Sequence, residues 1–186
     1  KVYALERRKM LGQLPPNVSF LNRFPVVYFA HPISGLSLNV VQDYYQSVRE
    51  RFGTISYVRT PMDIIARTDL KERKESFKEP GMANDVITNR DYGFVRECDV
   101  IFANLSKCTR PSIGSIMEIA WAYAHDKYIM IVMDEEGIHE HGMILGAHPL
   151  VYRSFMAAAN DLIEYCKTGF SDPQLRIYAD SLKYKL

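Results

Sequence analysis

The apolar positions of the chain follow two alternating patterns, one typical of buried strands and the other of helices. Short and nearly continuous apolar runs suit strands that are buried on both faces of a parallel sheet. Four such runs occur: 25-PVVYFAH-31, 54-TISYVRTP-61, 99-DVIFANL-105 and 128-YIMIVMD-134. Apolar residues recur at helical spacing elsewhere, which predicts helices at 37–53, 83–98, 110–124 and 153–167. This alternation predicts one flavodoxin-like or Rossmann-like α/β domain, with about five mainly parallel strands and helices on both faces.

The pattern also divides the chain into three parts. Residues 1–24 form an amphipathic extension, residues 25–167 form the α/β domain, and residues 168–186 form a polar tail. A charged segment at 64–84 interrupts the domain and is predicted to be an inserted helix or loop. A loop rich in glycine and histidine follows the fourth strand at 135–149. On the first helix the apolar residues at helical spacing are Val40, Val41, Tyr44, Tyr45, Val48 and Phe52. On the second helix the residues predicted to face inward are Val86, Ile87, Phe94 and Val95.

Composition narrows the function classes. The net charge of +1 over 186 residues provides no general field for a nucleic acid polymer or a membrane surface, so any phosphate recognition must be local. The three cysteines lie in no metal-ligand spacing and suit a reduced interior. No apolar run approaches the roughly 20 residues that cross a bilayer. We therefore expect a cytoplasmic protein without a cofactor or a metal.

Three loops are expected to meet at one edge of the sheet. In parallel α/β sheets, ligands bind at the carboxyl ends of the strands, near the point where the strand order reverses. The loops that follow the first three strands are 31-HPISG-35, 60-TPMD-63 and 104-NLSKCTRPSIG-114. The candidate binding site lies there.

Glu118 is the carboxylate for which two interpretations stand side by side. Ser115 and Glu118 have the spacing of a capping box, in which the acid reaches back to the helix N-terminus. Alternatively, a carboxylate among apolar neighbours beside a strand end can attack an electrophilic carbon and form an ester-like intermediate. That chemistry needs an orienting hydroxyl, which Tyr28 can supply, and a second acid, which Asp91 can supply. The alternative for Asp91 is a solvated helix acid paired with Arg90.

Three blocks in the same order resemble the nucleoside 2-deoxyribosyltransferase superfamily: 26-VVYFAHPISG-35, 89-NRDYGFVRECDVIFANLS-106 and 111-PSIGSIMEIAWAYAHDKYIMIV-132. Within it the chain most resembles the 2'-deoxynucleoside 5'-phosphate N-hydrolases. The resemblance implies that Glu118 is the nucleophile for C1' of the deoxyribose. It implies that Asp91 assists departure of the base and that Tyr28 orients the nucleophile. The expected reaction is cleavage of the N-glycosidic bond, giving free base and deoxyribose 5-phosphate.

Ser112 bears on the choice between nucleotide and nucleoside. Similar transferases that act on free nucleosides carry an acid at this position, whereas the nucleotide hydrolases carry a serine that binds the 5'-phosphate. A hydroxyl and the amides of Ile113, Gly114 and Ser115 suit a phosphate dianion, which an acid would repel. The alternative is that Ser112 or Ser115 is only an N-cap.

The first loop departs from the hydrolases. Their Gly-Ser pair is replaced by His31-Pro32, and their Arg-Gly-Gly by Ser34-Gly35-Leu36. His31, Ser34 and Gly35 are the binding candidates that this loop still offers. His31 either contacts phosphate or sugar or is a satisfied histidine at a strand end.

The remaining candidates concern the base and the assembly. Met62, Asp63 and Phe77 are candidates for the wall of the base pocket. The segment 142-GMILGAHPLV-151 resembles the family segment that reaches a neighbouring subunit, where His148 or Asn160 would complete the partner's pocket. That implies a homodimer or a higher homo-oligomer. The alternative is a loop that leads into a helix, with Pro149 in its first turn.

Three functions remain open at this point. The first is the N-glycosidase acting on a deoxynucleotide. The second is a transferase that exchanges bases between free deoxynucleosides through the same intermediate. The third is a nucleotide-binding module without catalysis, against which the joint presence of Tyr28, Asp91 and Glu118 argues.

Overall fold

A computed structural model describes residues 24–33, 36–63 and 84–168, which form an alternating series of strands and helices. The strands are β1 (Val26–Ala30), β2 (Tyr57–Arg59), β3 (Val100–Asn104), β4 (Tyr128–Val132) and β5 (Leu150–Tyr152). The helices are α1 (Leu38–Phe52), α2 (Asn84–Glu97), α3 (Ile113–Ala124), α4 (Gly142–Leu145) and α5 (Phe155–Thr168). The predicted extension up to residue 23, the charged segment 64–83 and the tail from residue 169 lie outside the described residues.

The sheet confirms the predicted fold class. Its strand order is β2-β1-β3-β4-β5, and every pairing is parallel. The order reverses between β1 and β3, because the chain leaves β1 toward one edge of the sheet and later leaves β3 toward the other. All carboxyl ends lie along one edge, so the loops after β1 and β3 meet at the reversal point.

Helices cover both faces of the sheet, as predicted. One apolar core lies between the sheet and helices α1 and α5, and it includes Phe29, Phe102, Val48 and Leu162. The second core lies under α2, α3 and α4, and it includes Tyr28, Ile101, Val95 and Ile119. Successive residues of a strand point to opposite faces, so Tyr28 faces α2 and α3 while Phe29 faces α1.

Several local predictions need correction. The second strand is only three residues long, because residues 54–56 complete the turn after α1, where the Ser56 amide donates to the Phe52 carbonyl at 3.0 Å. The predicted 135–149 loop contains α4, and the chain that follows it forms β5. Pro149 therefore precedes a strand and not a helix. Val86, which is predicted to face inward, is 41% exposed, and Val40 among the apolar positions of the first helix is 49% exposed.

No helix within residues 24–33, 36–63 and 84–168 has the length and apolar character needed to cross a membrane.

Candidate active site

A buried hydrogen bond joins the central strand to helix α3. The Tyr28 hydroxyl donates to Glu118 Oε1 at 2.7 Å. Tyr28 is fully buried and Glu118 is 6% exposed. Helix α3 begins at Ile113 with Ser112 as its N-cap residue, so Ser115 lies inside the first turn and Glu118 in the second. The capping-box interpretation of Glu118 is therefore wrong, because this carboxyl points into the protein toward β1.

Burial dominates the electrostatics of Glu118. Loss of hydration penalises the charged carboxylate and raises its pKa to about 8. The hydrogen bond from Tyr28 and the charge of Arg90 act in the opposite direction, while the charge of Asp91 raises the pKa further. The pKa of Tyr28 is raised well above its usual value, chiefly by burial and then by the charge of Glu118. Tyr28 is thus a hydrogen-bond donor at every pH at which Glu118 titrates.

Asp91 on α2 lies beside this pair and is held by its neighbour in sequence. Arg90 Nε donates to Asp91 Oδ1 at 2.9 Å, and Arg90 Nη2 lies 2.9 Å from the same oxygen. Asp91 is paired with Arg90, as the alternative interpretation held. It is only 7% exposed, however, so it is buried and not solvated. Burial raises the pKa of Asp91, and the hydrogen bond and charge of Arg90 oppose that rise.

The N-terminus of α3 is the second feature of the site. Ser112 and Ser115 are buried, and the Ser112 hydroxyl lies 3.0 Å from Ser115 Oγ. Gly114 is exposed, and no described atom lies within 4 Å of the position that a Cβ would take. The amides of Ile113, Gly114 and Ser115 lie in the first turn, where an N–H group has no acceptor within the helix. These N–H groups point toward the N-terminal end of α3. This end of α3 therefore presents N–H groups at an open surface.

His139 contributes to the site although sequence reasoning did not single it out. This histidine is 2% exposed, and its Nε2 accepts from the Ser112 amide at 3.0 Å. Its ring also hydrogen-bonds the backbone of Leu105, which opposes the lowering of its pKa by burial. His139 therefore fixes the residue that begins α3. The available signal was the histidine-rich loop directly after β4, on the carboxyl edge of the sheet.

Three further hydrogen bonds hold the loop that carries His139. The Lys107 amide donates to Asp134 Oδ2 at 2.6 Å, which ties the loop after β3 to the loop after β4. Arg153 donates to the Asp134 carbonyl at 2.8 Å and to Glu140 Oε1 at 2.7 Å. The loop is thus anchored on both sides of His139.

His31 lies at the reversal point of the strand order. Its Nδ1 is 3.1 Å from the Asn104 carbonyl oxygen at the end of β3, so the first and third strand ends are joined there. Its ring stacks on Tyr44 with the centroids 4.0 Å apart. Burial lowers the pKa of His31. Both of these contacts are within the protein, as the strand-end interpretation of His31 requires.

The loop after β2 is fastened to α1. Asp63 forms an ion pair with Arg49, and Thr60 Oγ1 donates to Asp63 Oδ1 at 2.7 Å. Asp63 also contributes to the raised pKa of Asp91, so the loop lies near that carboxyl. Met62 is half-buried and packs against the core under α1. Asp63 therefore holds the loop in place.

His148 is set apart from the other candidates. It is exposed, has a left-handed backbone with φ of 52°, and directly precedes Pro149 and β5. That position is at the amino end of its strand, whereas Glu118 and His31 lie toward the carboxyl edge of the sheet. Asn160 on α5 and Arg110 before α3 are exposed. Ser34, Gly35 and Phe77 lie outside the described residues.

Within the described ranges, no group of three or more His, Cys, Asp or Glu side chains is placed to hold a metal ion. The described side chains bring together a buried carboxyl on Glu118, a phenol on Tyr28, a second buried carboxyl on Asp91 and the N-terminus of α3.

Comparison with known proteins gives a consistent result. The model of the nucleoside 2-deoxyribosyltransferase family matches residues 27–168. A search of curated proteins found no significant match.

Three solved structures have a similar fold. A 2-deoxyribosyltransferase from Leishmania mexicana is 21% identical with a TM-score of 0.53, over 76% of this chain and 99% of that one. A 2-deoxyribosyltransferase from Bacillus psychrosaccharolyticus is 14% identical with a TM-score of 0.51, over 75% and 90%. A conserved protein from Enterococcus faecalis is 20% identical with a TM-score of 0.54, over 78% and 98%.

We predict that the free energy of unfolding depends on pH through Glu118. The pKa of the Glu118 carboxyl rises on folding. Its contribution to stability is therefore fully present at a pH below its pKa in the unfolded chain, and it is lost as the pH rises through the folded pKa of about 8. Because one pKa unit corresponds to about 1.4 kcal/mol, the advantage of Glu118→Gln over the native protein should grow by about 3 kcal/mol between pH 5.5 and 8.5. Urea unfolding at the two pH values measures it. Parallel pH profiles for the two proteins would contradict a buried, proton-binding Glu118.

Proposed function

The chain belongs to the nucleoside 2-deoxyribosyltransferase family, and from this premise we propose that it cleaves the N-glycosidic bond of 2'-deoxynucleoside 5'-monophosphates. In this proposal Glu118 forms a covalent glycosyl intermediate, and the products are free base and deoxyribose 5-phosphate. Membership of the family makes the protein an enzyme of the N-deoxyribosyltransferase or N-glycosidase type that acts on small nucleosides or nucleotides. The observation that carries the mechanism is the buried hydrogen bond from Tyr28 to Glu118.

The first step uses Glu118 as nucleophile. The step begins from the ionised form of Glu118. Tyr28 holds Oε1, which leaves Oε2 of this carboxylate to attack C1'. The C1'–N bond breaks, its electron pair goes to the base nitrogen, and the proton of Asp91 goes to the departing base. Burial raises the pKa of Asp91 and so favours the protonated form that this step needs. Glu118 is then an ester, and Asp91 is a carboxylate.

The second step returns the protein to its starting state. A water molecule attacks C1' of the ester, Asp91 accepts a proton from that water, and the Glu118 carboxylate leaves. A base in place of water would give a new nucleoside by the same route, which is the transferase alternative. Both outcomes use the same nucleophile, so the choice depends on which acceptor reaches C1'.

The open end of α3 supports a phosphorylated substrate. First-turn amides and the positive end of the helix dipole favour an anion. Ser112 adds a hydroxyl where an acid would repel the phosphate, and His139 accepts from the Ser112 amide, which leaves the Ile113, Gly114 and Ser115 amides for the ligand. Space above Gly114 allows close approach.

We predict that the purified protein releases base from at least one of the four deoxynucleoside 5'-monophosphates without any added acceptor. Chromatography of each deoxynucleotide and each deoxynucleoside, with and without a second base, measures it. Glu118→Ala should abolish release. Asp91→Asn should slow it by about 10²–10⁴-fold because the general acid is lost. Asp85→Asn, an exposed acid on the same helix, is the matched control. A new nucleoside formed only when an acceptor is present would favour the base-exchange reaction instead.

We predict that Ser112→Asp separates nucleotides from nucleosides. Aspartate is a good N-cap residue, so α3 should still begin at Ile113. Two like charges about 4 Å apart cost about 4 kcal/mol at an effective dielectric constant of 20, so kcat/KM for deoxynucleotides should fall at least about 100-fold. Deoxynucleosides should be far less affected. Ser112→Asn is the control, because asparagine has the size of aspartate but carries no charge. Equal losses on both substrate classes would show that the phosphate does not bind here.

A further inference from the structure

Arg90 makes three contacts that join the second acid to the loop after β2. Its Nε donates to Asp91 Oδ1 at 2.9 Å, and its Nη2 lies at the same distance from that oxygen. Nη2 also donates to the Pro61 carbonyl at 2.7 Å. A guanidinium that directs two nitrogens at one oxygen holds that oxygen in place and puts a positive charge beside the carboxyl.

The burial of Arg90 is not explained by stability alone. The side chain is 8% exposed, and its Nη1 is buried with no hydrogen-bond acceptor in the described part of the chain. A buried ion pair contributes little net stability when compared with apolar packing, and an unsatisfied N–H is a cost. Arg90 therefore occupies a costly position directly beside two carboxyls.

We propose that Arg90 is a positioning residue that holds Asp91 in one orientation and supplies positive charge to the Asp91–Glu118 pair. This inference rests on the proposed function, because it assigns Arg90 a part in that reaction.

The contacts determine which oxygen of Asp91 carries the proton. Oδ1 accepts the hydrogen bond from Arg90 Nε and forms the ion pair with Nη2, which leaves Oδ2 as the oxygen that carries the proton. Oδ2 is then the oxygen that meets the departing base. The same Nη2 donates to the Pro61 carbonyl, so Arg90 links the acid to the loop after β2.

Charged and titratable groups from several elements surround this pair. Glu118 faces it from α3, Tyr28 from β1 and Asp63 from the loop after β2. Asp63 is itself paired with Arg49, which offsets part of its charge. The charge of Arg90 acts on both Asp91 and Glu118 and opposes the effect of burial on each.

Titration of the two carboxyls by carbon-13 NMR tests the proposal without any substrate. The variants are Arg90→Gln and Arg90→Lys, and Glu118→Gln and Asp91→Asn assign the signals. The matched control is Arg96→Gln, because Arg96 pairs with the next residue, Glu97, at 3.9 Å but both side chains are more than half exposed. Arg90→Gln should raise the titration midpoints of the pair by about one pH unit or more. Arg90→Lys should raise them less, and Arg96→Gln should leave them unchanged.

The outcomes separate the two proposals. Unchanged midpoints in Arg90→Gln, or an equal shift in Arg96→Gln, would overturn the role of Arg90 whatever the protein's activity. If circular dichroism shows that Arg90→Gln does not fold, the Arg90→Lys variant is the test of the proposal. Its kcat on the preferred deoxynucleotide should then fall at least about 10-fold with KM nearly unchanged, because an ammonium group lacks the pair of nitrogens in fixed geometry that holds Asp91 Oδ1. A native kcat in that variant would overturn the proposal. If the midpoints shift as expected but the protein cleaves no deoxynucleotide, the effect of Arg90 on the two carboxyls is supported and the proposed function is refuted.

Discussion

The hydrogen bond between Tyr28 and Glu118 is the constraint on which the site depends. A buried carboxyl has to be either neutral or hydrogen-bonded. Here the Tyr28 hydroxyl donates to one of the two carboxyl oxygens of Glu118 at 2.7 Å. Desolvation outweighs that donor and raises the pKa of Glu118 to about 8. The charged form of Glu118 is therefore costly at this position, and in the proposed reaction this poorly hydrated carboxylate is the attacking group. The contact also fixes α3 against the sheet.

The fold brings the remaining groups to the same edge. Tyr28 comes from the strand that borders the reversal point, Asp91 from the helix before β3, and Glu118 from the helix after it. The loops at this edge are tied to each other, through His139 to Ser112 and through Lys107 to Asp134. These contacts hold Glu118, Asp91 and the N-terminus of α3 in fixed relation, as the proposed reaction requires.

Sequence patterns predicted the parts of the fold in which burial is strong. The runs around β1, β3 and β4 are apolar throughout because both faces of these strands are covered, and the structure confirms all three. The edge strands were harder to locate. β2 exposes Tyr57 and Arg59, and β5 contains three residues, so neither has the length that makes a strand pattern distinct.

The site was only partly accessible from sequence. Glu118 was ambiguous, because a serine three residues before a glutamate fits a capping box as well as a nucleophile. The position of Ser112 as N-cap excludes the capping box, and the role of nucleophile stays a proposal. The buried state of Asp91 and the role of its neighbour Arg90 depend on packing against a loop almost 30 residues earlier, which no local pattern reports. His139 reaches Ser112 across 27 positions for the same reason.

Direct detection of the glycosyl-enzyme is the most decisive measurement. The protein should be mixed with its preferred deoxynucleotide, quenched with acid within the first turnover, digested and analysed by mass spectrometry. The account predicts a deoxyribose 5-phosphate adduct on the peptide that contains Glu118, formed in the native protein and missing in Glu118→Gln. Release of base by the native protein with no adduct on that peptide at any quench time, together with continued release by Glu118→Gln, would contradict it.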